Sequence, residues 1–142
     1  MKKILVAIND SELSRDLINL GAALCRNEKG ELYILHILEV PFYLPLDAEP
    51  EADVSSANKI LDKSLEIVED LKIKTTADMV SARSVGGGII SYANSKNVDV
   101  IIAGHKDYPG YGDVISSPAV EYILKKATCR VMIIRQERAN QS

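Results

Sequence analysis

The chain has 142 residues, of which 46% are hydrophobic and 26% charged, with a formal net charge of −3. That length suits a single domain, 1–142, able to bury roughly two-thirds of the surface its unfolded form exposes. The acid excess offers no basic face for nucleic acid. Two cysteines, Cys25 and Cys129, are too few for a small secreted disulfide scaffold. After Met1-Lys2-Lys3 the apolar run stops at Asn9–Glu12, and no later run approaches the roughly 20 residues that span a bilayer. A cytoplasmic protein with no membrane insertion is expected.

Ile4–Ile8 is a short apolar run bounded by turn-formers, as expected of a strand buried on both faces. Asp10 or Ser11 is placed to cap the next helix, on which Leu13, Leu17, Leu20 and Leu24 mark one face. That helix ends over Asn27–Gly30. Leu32–Val40 is a second apolar strand, with a lone histidine, His36, that fits a satisfied core residue better than a ligand. Residues 41–54 form an irregular, acidic, Pro-rich connection carrying Asp47, Glu49, Glu51 and Asp53. A helix is then predicted from Ser55 or Ser56, with Ile60/Leu61, Leu65, Val68 and Leu71 facing inward. Met79–Val85 is a third strand, placed mainly by the glycine run and helix after it. Gly86-Gly87-Gly88 leads into a short helix with Ile89, Ile90 and Ala93 inward.

From residue 98 the pattern sharpens. Val98–Gly104 is a buried strand, and Ser117-Pro118 is a strong helix start, with serine at the cap and proline at the first helical position. The helix runs from Pro118 to Lys126, Arg130–Arg135 is the last strand, and 136–142 is a polar, frayed tail. Strands and helices alternate throughout, so the expected class is α/β: a doubly wound parallel sheet with helices on both faces.

In such a sheet ligands bind beyond the carboxyl ends of the strands, where helix N-termini favour anions. Three places carry candidate chemistry. The turn Ile8-Asn9-Asp10-Ser11 either meets a nucleoside or metal or simply caps a helix. Gly86-Gly87-Gly88 either cradles a phosphate or makes a strand-to-helix turn. It lacks the Lys-Ser/Thr ending of a nucleotide P-loop and the spacing of a dinucleotide fingerprint. The loop from Gly104, His105 and Lys106 through Gly110 and Gly112 to Ser116 and Ser117 either surrounds an anion or caps the helix. Pro118 removes one N–H from it, and Lys106 against Asp107 and Asp113 leaves it at −1, so a polyphosphate there needs a bridging cation. Tyr108, Tyr111 and Tyr122 are able to stack on a base or to pack the loop. No metal-ligand spacing and no nucleophile–base arrangement accompanies His105. No catalytic or metal residues are assigned.

As a whole, the pattern resembles the universal stress protein family over almost the entire chain. The carriers are Lys3–Glu12, Asp99–His105 and Val120–Arg135, the last including Cys129. The resemblance implies a five-stranded parallel sheet of order 3-2-1-4-5 and a homodimer formed through the last strand: Arg130, Val131, Met132, Ile133, Ile134 and Arg135. It names ATP, with magnesium, as the ligand to test, since some members bind it and others do not. The binding members share a glycine, a second three residues on, and Gly-Ser/Thr ten residues later. Laid from Gly104, these positions fall on Asp107 and Ser117-Pro118, and the family's first-turn aspartate falls on Asn9. The connection with Phe42, Tyr43, Leu44 and Leu46 is similar to stress-protein domains associated with transporters. The resemblance implies two functions as expectations. One is a homodimeric regulatory module, not an enzyme, contacting a transporter or signalling partner, with weak or no ATP binding. The other is a nucleotide-binding stress protein with adenosine near Ile8, Asn9 and Val40.

Overall fold

The computed structural model describes residues 2–9, 12–48, 51–105 and 118–135. In chain order the elements are β1 Lys3–Ala7, α1 Glu12–Glu28, β2 Glu31–Glu39, α2 Glu51–Val68 with a 3-10 turn Glu69–Leu71, and β3 Lys74–Ala82. Then come α3 Val85–Lys96, β4 Val100–His105, α4 Pro118–Lys126 and β5 Arg130–Arg135. All strand pairings are parallel, and the sheet order is β3-β2-β1-β4-β5, as the resemblance implied.

The two-residue alternation of the central strands divides the core into two layers. Ile4, Val6, Leu32, Ile34 and Ile102 face α1 and α2, where Leu17, Ile18, Leu61 and Val68 meet them. Leu5, Leu35, Ile101 and Ala103 face α3 and α4, against Ile89, Ile90, Ala93 and Ile123. Each fully buried aliphatic side chain contributes about 1.5–3 kcal/mol, so these central strands carry most of the stabilisation.

Helix α2 starts at Glu51, not at Ser55 or Ser56. Residues 51–54, read as part of the connection, belong to its first turn, where the helix dipole favours Asp53. Its inward face also differs. Leu65 is 39% exposed, while Ser64 is buried and donates its hydroxyl to Ile60 O at 2.8 Å. A small residue that bonds its own helix backbone fits the sheet contact there. Strand β3 begins five residues earlier than predicted and ends before Val85. It is an edge strand, half-buried along most of its length, so it carries Thr75, Thr76 and Asp78 where a central strand would be apolar.

Candidate functional site

The carboxyl edge of the sheet is stepped. The pairing Val6↔Ile102, continued along the strands, puts Ile8 beside Gly104 and Asn9 beside His105. Strand β2 overhangs this ledge. Ala7 lies opposite Leu35, so Val40 is five residues further on, about 16 Å along the strand. The tertiary structure therefore brings Ile8, Asn9, Gly104 and His105 to one level, with Val40 on a higher wall.

The ledge is held by backbone bonds. Ile8 N–H donates to Leu35 O at 2.9 Å, and Val40 N–H to Ala82 O at 2.9 Å. Ile8 O accepts from His36 Nδ1 at 3.1 Å, which gives His36 the structural role expected for it. Asn9 is exposed but fixed by α1: its N–H donates to Ser14 Oγ at 3.1 Å, and the Ser14 hydroxyl donates to Asn9 O at 2.7 Å. Sequence reasoning missed buried Ser14. The available signal was a hydroxyl on the first turn of a helix, within reach of the preceding strand end.

Gly104 has a packing explanation of its own. A Cβ there would lie 2.7 Å from Leu13 Cδ2 and 3.4 Å from Leu17 Cδ1, so its bareness lets α1 approach β4. His105 is buried. Asp10, Lys106, Gly110, Gly112, Ser116 and Ser117, which complete the predicted site, lie outside the described residues. Pro118 opens α4 as expected.

The Gly86-Gly87-Gly88 run is not a loop but the first turn of α3. The Ser84 hydroxyl accepts from Gly87 N–H at 3.1 Å as N-cap. A Cβ on Gly86 would stand 3.0 Å from Tyr122 Cβ and one on Gly88 2.9 Å from Ala82 Cβ. These glycines bring α3 close to α4 and to the sheet.

A polar cluster that the sequence did not single out lies under α3. The Tyr92 hydroxyl donates to Asp78 Oδ2, and the Tyr33 and Tyr92 rings meet edge to face, 6.1 Å between centroids. Lys96 Nζ sits 5.6 Å above the Tyr92 ring, and Lys74 pairs with buried Glu31 at 3.5 Å. Burial, then the Asp78 bond and charge, push the Tyr92 phenol well above its ordinary value. Tyr33 moves the same way, through burial and then Glu31.

At the opposite side of the sheet, β5 pairs with β4 over its whole length. Val131, Met132, Ile133 and Ile134 are half-buried, and Arg130 and Arg135 are exposed.

The Universal stress protein family description matches residues 1–135. The chain belongs to the universal stress protein family. Universal stress protein YxiE of Bacillus subtilis is 24% identical, covering 94% of this chain and 98% of the relative. Among solved structures, the fold is similar to the universal stress protein from Archaeoglobus fulgidus in complex with dAMP. That match has a TM-score of 0.73 at 16% identity and covers 94% of this chain and 97% of that one. A family protein from Arabidopsis thaliana with AMP bound superposes with a TM-score of 0.67 at 15% identity, covering 96% and 93%.

Proposed function

We propose that this chain is a regulatory, non-catalytic universal stress protein, acting in the cytoplasm as a homodimer through contacts with a transporter or signalling partner, and holding ATP weakly or not at all. One observation carries the weak-ATP reading. The single glycine left from the ATP-binding pattern, Gly104, is accounted for by the approach of Leu13, while Asp107 and Ser117-Pro118 occupy the pattern's remaining positions. A carboxylate in place of a glycine adds repulsion where a triphosphate needs N–H donors, and Pro118 has no N–H to give. The dimer reading rests on β5, an apolar strand with an unpaired outer edge among the described residues, a form that invites pairing. Calorimetric titration with ATP and magnesium tests the nucleotide claim. Affinity no tighter than micromolar is expected, and tight stoichiometric binding would overturn it.

A second reading is favoured by the dAMP and AMP complexes of fold relatives. In it Ile8 and Asn9 on the ledge and Val40 on the wall above it hold an adenosine, and Gly104, Gly110, Ser116 and Ser117 meet its phosphate. A monophosphate asks less of the 104–117 loop than a triphosphate does. AMP binding more tightly than ATP in the same titration would favour this reading.

A further inference from the structure

Two surfaces outside the ledge stand at opposite ends of β2, the first continuing directly from Val40. At its carboxyl end, residues 41–48 form two successive turns closed by Leu44 N–H to Pro41 O at 3.0 Å and Ala48 N–H to Pro45 O at 2.9 Å. Arg83 Nη1 donates to both Pro41 O, at 2.8 Å, and Leu44 O, at 2.7 Å. The first turn is thus held from β3's end, and it holds out two aromatic side chains: Phe42 is 91% and Tyr43 83% exposed. An ordered projection with large apolar tips is built for a socket, since single exposed apolar residues are ordinary but a clamped aromatic pair is not. The sequence continues past these aromatics with Asp47, Glu49, Glu51 and Asp53.

At the amino end of β2 lies a cleft of about 400 Å³ between the end of α1 and the start of β3. Its apolar part is half-buried Leu71 and Ile73, and its cations are Arg26, Lys29, Lys72 and Lys74, all exposed. Lys74 is engaged with Glu31; among the described residues no carboxylate lines the cleft itself. Glu69 and Asp70 of the adjoining 3-10 turn are exposed and outside the lining. In a chain of net charge −3, this is a local basic rim around an apolar floor.

We propose that copies of this chain associate head to tail, the Phe42–Tyr43 projection of one entering the Leu71–Ile73 cleft of the next, with the exposed carboxylates Asp47 and Asp53 against the cations there. The two halves match in character, aromatic tips to apolar floor and acid to base. One molecule cannot satisfy itself, because the nine residues of β2 hold the surfaces roughly 30 Å apart. Such a contact is heterologous, so it propagates instead of closing on a twofold axis. It leaves β5 free, so any pairing there persists alongside it. The contact is small and charge-assisted, so its affinity is modest and falls with salt.

Sedimentation of the full chain over a concentration series reads this contact. The average mass is expected to climb past its low-concentration plateau. The double variant F42A/Y43A and the double variant R26E/K72E are each expected to stay on the plateau, with urea midpoints like wild type because all four positions are exposed. An equal mixture of the two is expected to regain association, since one supplies intact clefts and the other intact projections. The chain has no tryptophan, so Phe42→Trp gives a lone reporter whose emission should shift to the blue as mass rises. A wild type that never leaves the plateau, a double variant that associates like wild type, a mixture that stays down, or a tryptophan that remains solvent-like while mass grows overturns the proposal. So does inorganic phosphate or an acidic peptide occupying the cleft while the mass stays fixed. None of these outcomes depends on whether nucleotide binds.

Discussion

Gly88 is fixed by its neighbours: a Cβ there would meet Ile37 Cδ1 at 2.8 Å and Ala82 Cβ at 2.9 Å. Gly88→Val should therefore destabilise the protein by about 1–3 kcal/mol through overpacking, read as a lower urea midpoint. A midpoint equal to wild type would show that α3 can lift from the sheet without loss. Tyr92 makes a pH-dependent contribution with a definite sign. Its phenol keeps its proton to higher pH in the folded chain than in the unfolded one, where the value is the ordinary 10. Stability linked to it is complete below about pH 10 and falls as pH rises beyond, because only the unfolded chain then releases the proton. Tyr92→Phe should lower stability by about 1–2 kcal/mol at neutral pH by removing the bond to Asp78. It should also flatten the alkaline decline, which denaturation at a series of pH values will show. Burial raises the Cys129 thiol above its ordinary value as well, in keeping with a packed residue, and Cys25 is buried.

At the scale of elements, the best-read segments were those whose ends carry their own chemical signals. Helix α4 starts at Pro118 and β5 runs from Arg130 to Arg135, both where the sequence put them. Strand β3 and helix α2 were displaced because polar threonines on an edge and acids in a first turn look like loop when taken residue by residue. The connection from Pro41 was expected to be irregular; its described part, 41–48, forms two turns, and the first is clasped by Arg83, a partner 39 to 42 residues away that no local pattern announces. Arg83→Ala should leave the urea midpoint within about 0.5 kcal/mol of wild type, as for a surface change. It should speed chymotrypsin cleavage at Phe42 and Tyr43 several-fold. An unchanged cleavage rate would mean that the turns order themselves without the guanidinium.

For the whole molecule, the arrangement of edges matters most. Among the described residues β5 pairs only with β4, with Val131 and Ile133 on one face and Met132 and Ile134 on the other, each packed only partway. Light scattering at tens of micromolar, read at the low-concentration plateau, should give twice the chain mass. Ile133→Lys should give the mass of one chain, with folding verified by its urea transition. A wild type with the single-chain mass would remove the β5 dimer.

The sequence by itself determined the class, the alternation and the family. Apolar runs of strand length, helical spacing and the match of Lys3–Glu12 and Val120–Arg135 are local properties, and local properties survive without coordinates. It also marked Ile8, Asn9, Gly104 and His105, because strand ends can be read from turn-formers. Only the tertiary structure decided why those residues are there. The approach of Leu13 accounts for Gly104, Ser14 fixes Asn9, and the closeness of α3 to α4 and to the sheet explains the glycine run that otherwise suggests a phosphate cradle. These are contacts between segments distant along the chain or oriented by packing, and a linear pattern encodes the residue type while leaving open which neighbour demands it.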